Sequence, residues 1–62
     1  MTSYWIILIE KSTPFKSFVS WNDDDGIAFT FETLNQAVNA WFDDGMDTVA
    51  AGRAIEITKT SL

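Results

Sequence analysis

Carboxylates are the residues of this chain whose type and spacing could do chemistry. The 62-residue sequence contains nine acids, four bases, and neither histidine nor cysteine. Six acids form two aspartate clusters: Asp23, Asp24 and Asp25, then Asp43, Asp44 and Asp47. Spaced carboxylates can exchange protons, hold a cation, or imitate the phosphates of a nucleic acid. Aspartate is also an ordinary turn residue that keeps small proteins soluble, so solvated turns are the competing interpretation.

Catalysis is the least favoured of these chemistries. No histidine or cysteine supplies a base or nucleophile, and the three glycines are too scattered for a phosphate-binding loop. Paired carboxylates need an enclosed cleft to tune them, which a chain of this length rarely builds. We therefore expect a non-enzymatic protein that needs no cofactor.

A metal site receives little support from the sequence. Four residues match positions of an EF-hand calcium loop that would begin at residue 21: Asp23, Asp25, Gly26 and Glu32. The first position of that loop, normally aspartate, is Trp21, and the flanking segments have the pattern of strands instead of helices. Without cysteine or histidine a zinc site is excluded as well. We expect no bound metal.

Charge is unevenly distributed along the chain. The 36 residues from Ser17 to Gly52 hold seven acids and no base, a net of −7. The two ends hold four bases and two acids, a net of +2, which gives the total of −5. Direct binding of nucleic acid is disfavoured, because lysine and arginine supply most of the affinity for phosphates. An acidic surface beside exposed aromatic rings instead suits the basic groove of a nucleic-acid-binding protein.

Asp43 and Asp44 are predicted where acids destabilise a helix. The C-terminus of a helix carries partial negative charge, so an acid there costs about 0.3–1 kcal/mol at low salt. Departures from local consistency concentrate at functional sites, which makes these two acids candidates for binding. Trp21 beside the predicted turn could anchor a partner or belong to the core. The candidate partner contacts are Trp21, Asp23, Asp24, Asp25, Asp43, Asp44 and Asp47.

The first half of the chain has the pattern of strands. Residues 4–9 are apolar on both alternating faces, which predicts a strand in the centre of a sheet. Residues 15–21 alternate, residues 22–26 favour a turn, and residues 27–31 alternate again, so the sequence predicts a β-hairpin.

The second half predicts one helix and a last strand. Thr33 precedes Gln36 by three residues, the spacing of a capping box that starts a helix. The apolar stripe of that helix consists of Leu34, Ala37, Val38, Trp41 and, at its margin, Phe42. Gly45 suits the left-handed position after a helix that ends near Asp44. Residues 47–52 are ambiguous, and residues 53–60 alternate as a final strand.

These elements predict a single α+β domain over residues 1–62. The order is β-β-β-α-β, with one antiparallel or mixed sheet and a single helix on one face. The second face then lacks a helix to cover it. Either the odd positions Trp5, Ile7 and Ile9 or the even positions Tyr4, Ile6 and Leu8 must lie partly exposed, be covered by loops, or pack against another chain. A homodimer or a subunit of a larger complex is thus the alternative to an acid-driven binding protein.

One arrangement of residues resembles a known class of proteins. Residues 29–38, Phe-Thr-Phe-Glu-Thr-Leu-Asn-Gln-Ala-Val, followed by Ile55-Glu-Ile-Thr, resemble the strand-helix-strand unit of small bacteriophage-encoded inhibitors. Among these are the short phage inhibitor of bacterial RNA polymerase and some anti-CRISPR proteins. The resemblance covers about half the chain and implies a host-takeover protein that blocks a nucleic-acid-binding surface, a form of nucleic-acid mimicry. The longest apolar run has five residues, against about 20 for a membrane span, so we expect a protein in the host cytoplasm.

Overall fold

The fold is a three-stranded antiparallel sheet with one helix packed on one face. The structure, a computed structural model, describes residues 2–12 and 14–60. Its elements are β1 (Thr2–Lys11), β2 (Ser17–Ser20), α1 (Leu34–Asp43), a 3₁₀ turn (Met46–Thr48) and β3 (Gly52–Lys59). The strand order β2-β1-β3 confirms the α+β class and the central position of the first strand. Within the described ranges no helix is long and apolar enough to cross a membrane.

The predicted third strand, residues 27–31, does not form, and the element order is β-β-α-β. The N–H of Trp21 donates to the carbonyl of Ile7 at 2.7 Å, and Phe31 and Trp5 exchange two backbone hydrogen bonds of 2.7 and 2.8 Å. The segment from Trp21 to Phe31 is thus hydrogen-bonded to β1 at both of its ends. Between them the chain folds back on itself at the predicted turn: Asn22 and Ala28 form an isolated antiparallel bridge, and the N–H of Phe29 donates to the carbonyl of Trp21 at 2.9 Å. Residues 27–31 thus form isolated bridges instead of a strand.

Helix α1 begins and ends where the sequence predicts. The hydroxyl of the N-cap Thr33 accepts the N–H of Gln36 at 3.1 Å. The side chain of Gln36 accepts the N–H of Glu32 at 3.0 Å, one residue before the cap position that a capping box uses. At the other end Gly45 follows the C-cap Asp44 with a φ of 75°, a left-handed conformation that glycine adopts without a steric penalty.

The core lies between β1 and α1 and is small. Among the described residues, the buried ones are Ile7, Ala37 and Trp41. Half-buried apolar residues pack around them: Trp5, Ile9, Trp21, Phe31, Met46, Ala50 and Ala54. The predicted helix stripe is therefore correct at Ala37 and Trp41. Its remaining members stay exposed: Leu34, Val38 and Phe42.

Strand β3 meets the indole of Trp41 at its first residue. A Cβ atom built on Gly52 would lie 2.6 Å from Cζ2 of Trp41, closer than real Cβ contacts come. The absence of a side chain at residue 52 therefore lets the indole lie directly against the strand. This contact joins the helix to the edge of the sheet.

The two faces of the sheet are defined by which residues reach the helix. Trp5, Ile7 and Ile9 belong to the core, so the alternating positions of β1 point the other way. Residues paired directly across neighbouring strands share a face. The face away from α1, which we call the open face, thus carries Tyr4, Ile6, Leu8, Glu10, Phe18, Ser20, Arg53, Ile55, Ile57 and Lys59.

Candidate functional site

Trp21 lies in a cluster of aromatic rings on the helix side of the sheet. Its ring centroid is 4.7 Å from that of Phe29, 6.3 Å from that of Phe31 and 5.3 Å from that of Trp41. Trp41 is buried in the core, whereas Trp21 is half-buried and Phe29 is 36% exposed. The cluster therefore extends from the core to the surface. Trp21 packs against the core and is also partly exposed to solvent.

A groove of about 330 Å³ opens at the exposed end of this cluster. We call it the Trp21 groove; its lining residues are Trp21, Phe29, Phe31, Ala40, Asp43 and Asp44. It brings together three of the residues that the sequence singles out, the tryptophan and two aspartates. One part of its lining comes from the loop after β2 and the other from the last turn of α1.

The electrostatics of the Trp21 groove favour a cation. Asp43 is the last residue of α1 and Asp44 its C-cap, so both carboxylates add to the negative end of the helix dipole. The faces of aromatic rings attract cations too. Both aspartates are exposed, and among the residues that the structure describes no base forms an ion pair with either. Within those residues, the ion pair joins Lys16 to Glu10 at 3.2 Å, outside the Trp21 groove. The groove thus suits an arginine or lysine side chain.

Asp23 has a structural part in the turn that carries the first aspartate cluster. Its Oδ1 atom accepts the N–H of Asp25 at 2.9 Å and that of Ile27 at 3.0 Å. Gly26 completes the turn with a φ of 81°. The half-buried Asp23 therefore holds the turn, while Asp24 and Asp25 are exposed at its surface.

The turn that carries Asp24 and Asp25 is joined at its base to two residues that line the Trp21 groove, Trp21 and Phe29. The carbonyl of Trp21 accepts the N–H of Phe29 at 2.9 Å, which closes the base of the loop. Asp24 and Asp25 are thus carried by the same loop as the aromatic lining. Asp47 lies exposed in the 3₁₀ turn and does not line the groove. The structure therefore unites Trp21 with Asp43 and Asp44 and leaves Asp47 apart.

Three lining residues were not singled out from the sequence: Phe29, Phe31 and Ala40. The alternation of the two phenylalanines predicts a strand and gives no sign of a groove. Their place beside the end of α1 depends on the hydrogen bonds between Phe31 and Trp5, which link residues far apart in the chain. Local pattern alone does not contain that information.

A second groove, of about 210 Å³, lies at the contact of α1 with β3. It is lined by Ile7, Val38, Trp41, Phe42, Gly52 and Ala54, none of which is charged. In the part of the chain that is described, no three potential metal-ligating side chains cluster. No protein-family model, curated protein or solved structure matches the chain. The Trp21 groove brings three aromatic rings together with two carboxylates, and none of its lining residues is a base.

Proposed function

We propose that this protein is a non-enzymatic binding protein that occupies the basic surface of a host nucleic-acid-handling protein and thereby inhibits it. The observation that carries the proposal is the Trp21 groove, where Asp43 and Asp44 lie beside partly exposed aromatic rings at the negative end of a helix. A polymerase, a CRISPR effector or a DNA-repair enzyme offers a partner surface of this kind. The protein acts by exclusion, because its carboxylates take the positions of phosphates.

The contact is built around a basic side chain of the partner. An arginine entering the groove stacks its guanidinium on an aromatic ring, which contributes about 0.5–2 kcal/mol depending on desolvation. Its N–H groups donate to the carboxylates of Asp43 and Asp44 in charge-assisted hydrogen bonds. Asp24 and Asp25 extend the acidic surface along the loop. The net charge of −5 speeds the encounter with a basic partner.

Solvated turns are the competing interpretation of these acids, and the position of Asp43 and Asp44 supports the proposal over it. Acids that serve only solubility could stand anywhere on the surface, whereas Asp43 and Asp44 occupy the end of α1 where they weaken it. They also line a groove with three aromatic rings. A cation in that groove would offset both the dipole and the repulsion between the two carboxylates.

The test is capture of the partner from bacterial lysate by the immobilised protein, followed by salt elution and mass spectrometry. The Asp43→Asn/Asp44→Asn variant removes two charges from the groove. The Glu32→Gln/Glu56→Gln variant removes two charges from exposed positions outside it and serves as the matched control. We expect the wild type and the control to recover the same DNA- or RNA-handling protein and the groove variant to lose it.

Competition then tests the mode of action. Nucleic acid added to the captured complex should displace the partner, because both ligands use one basic surface. Replacing all six clustered aspartates with asparagine should abolish inhibition while the fold is retained. Recovery of the same partner by every variant, or a complex that survives excess nucleic acid, would contradict the proposal.

A further inference from the structure

Strand β3 forms an edge of the sheet whose outer side is unpaired. In the order β2-β1-β3 it pairs with β1, and within residues 2–12 and 14–60 no bridge or backbone hydrogen bond reaches its other side. Proteins commonly shorten their edge strands or interrupt them with a bulge or proline, which discourages the addition of a further strand. β2, at the opposite edge, has four residues. β3 has eight, carries charged side chains, and pairs in unbroken register without a proline.

Every second residue of β3 directs its backbone groups to this free side. The N–H of Glu10 donates to the carbonyl of Ala51 at 2.9 Å, which sets the phase of the ladder between β1 and β3. The N–H of Trp5 donates to Phe31 on the other side of β1, in agreement with that phase. Hydrogen-bonded and non-hydrogen-bonded pairs alternate in an antiparallel ladder, so the odd-numbered residues of β3 bond to β1. The even-numbered residues, from Gly52 to Thr58, therefore present their N–H and C=O groups outward.

The apolar groove of about 210 Å³ adjoins this free edge on the helix side of the sheet, and we call it the β3 groove. Its lining includes Gly52 and Ala54, two residues whose backbone groups point outward, and Val38 and Phe42 of α1. Both helix residues belong to the apolar stripe predicted for the core, yet they are 37% and 57% exposed. A row of free backbone groups and an uncovered apolar groove thus run side by side.

We propose that an extended segment of another protein adds to the sheet as a fourth strand, antiparallel to β3, and places an apolar side chain in the β3 groove. Backbone hydrogen bonds to an edge strand supply affinity in this kind of recognition, and pockets for alternate side chains supply selectivity. Residues directly opposite each other in an antiparallel pair share a face. The partner residue that bonds to Ala54 therefore directs its side chain to the groove, whose lining carries no charge.

A second copy of this chain does not supply that side chain through its own β3. Two copies paired at this edge about a two-fold axis bring the same faces together, so the groove would meet the even-numbered residues of the second β3. Those residues are glycine, alanine, glutamate and threonine, and none is a large apolar side chain. The segment that fills the groove therefore belongs to a different protein.

The β3 groove is separate from the Trp21 groove. Val38 is two residues from Ala40, which places it about 200° around α1. Val38 lines one groove and Ala40 the other, so the two grooves lie on opposite sides of the helix. Either surface can therefore fail its test without the other.

Titration of the whole chain with synthetic peptides, followed by nuclear magnetic resonance, tests the proposal. The probe is the capped peptide Thr-Val-Lys-Leu-Glu-Val-Thr, which has no net charge and carries its three apolar side chains on one face of an extended chain. We expect a Kd below about 1 mM and slower amide exchange at the even-numbered residues of β3 in the complex. Alanine in place of the peptide's leucine should raise the Kd about tenfold or more.

Methylation of peptide nitrogens tests the direction of the backbone contacts. N-methyl groups on the leucine and both valines remove the N–H groups that donate to β3 in the antiparallel arrangement, and should abolish binding. Three N-methyl groups on the lysine, the glutamate and the last threonine lie on the outer edge of the added strand, and should leave the Kd within about threefold. The two peptides have the same composition, so each is the control for the other.

Variants of the protein test the groove. Phe42→Ala removes a wall of the β3 groove at an exposed helix position and should raise the Kd about fivefold or more. Leu34→Ala truncates a 43% exposed residue of the same helix outside the groove and should leave the Kd unchanged. Circular dichroism checks that both variants are folded.

Four outcomes would overturn the proposal. They are an unmethylated probe that does not bind at about 1 mM, equal binding of the two methylated peptides, a reversed preference between them, and self-association of the chain through β3.

Discussion

Trp21 and Trp41 meet edge to face, with ring centroids 5.3 Å apart and an interplanar angle of 88°. One ring lines the groove and the other is buried in the core. Aromatic pairs favour this geometry and add about 0.5–1.5 kcal/mol beyond their burial. The wall of the groove is therefore braced by the packing of the core, so a ligand meets a ring that is already oriented.

The Asp43→Asn/Asp44→Asn variant should be more stable than the wild type while it loses the partner. Removing two acids from the negative end of α1 should raise the free energy of unfolding by about 0.5–1.5 kcal/mol at low salt. Urea unfolding at about 0.05 M and about 1 M salt measures the effect, which should shrink at the higher concentration. Lower stability of the variant would contradict the dipole argument and attribute any loss of binding to damage of the fold.

The proposed complex of the wild type with a basic partner should weaken steeply in salt. Between about 0.1 M and about 1 M the Debye length falls from about 10 Å to about 3 Å, so charge contacts across the interface are screened. Titration calorimetry or surface plasmon resonance at several ionic strengths gives the slope. Asn at residues 43 and 44 should reduce that slope, whereas the Glu32→Gln/Glu56→Gln control should keep it. Equal slopes for both variants would exclude a specific part for the groove.

Gly52→Ala should destabilise the protein by about 1–3 kcal/mol, because the new methyl group overlaps the indole of Trp41. Alanine in a strand is otherwise favoured over glycine, so the sign of the change is informative. Trp41→Phe removes the nearest ring atoms and should relieve the overlap. In a double-mutant cycle by urea unfolding, Gly52→Ala should therefore cost much less beside Phe at residue 41. An unchanged cost would mean that the close packing at residue 52 does not limit stability.

Asp23→Ala should lower the free energy of unfolding by about 1–2 kcal/mol, because Oδ1 of Asp23 accepts two backbone N–H groups in the turn. Asp23→Asn keeps an oxygen at that position and should stay within about 0.5 kcal/mol of the wild type. Chemical denaturation of the two variants makes the comparison. If the alanine variant were as stable as the asparagine variant, Asp23 would count as a surface acid like Asp24.

The sequence predicts elements whose signals are local. Thr33 and Gly45 bound the helix because a hydroxyl and a left-handed glycine satisfy helix ends within a few residues. The central position of β1 follows from apolar residues on both of its faces. These features need no knowledge of what lies elsewhere in the chain.

The absence of the predicted third strand and the formation of the Trp21 groove both depend on hydrogen bonds between residues far apart in the chain. Residues 27–31 alternate like a strand, yet they form two isolated bridges, Ala28 with Asn22 and Phe31 with Trp5, instead of a ladder. The same bond brings Phe31 to the lining of the groove beside Asp43. Which of two alternating faces meets the helix is likewise settled by register, since a shift of one residue exchanges the faces. Composition and spacing leave that choice open.

Thr2 pairs with Lys59, so the two ends of the described sheet meet side by side. During synthesis on the ribosome β1 emerges first and β3 last, at about 5–20 residues per second. The edge of β1 that pairs with β3 therefore stays unpaired until residues 52–59 have been made. Such long-range closure slows folding. Until β3 is made, the unpaired edge of β1 is thus open to aggregation and to proteases.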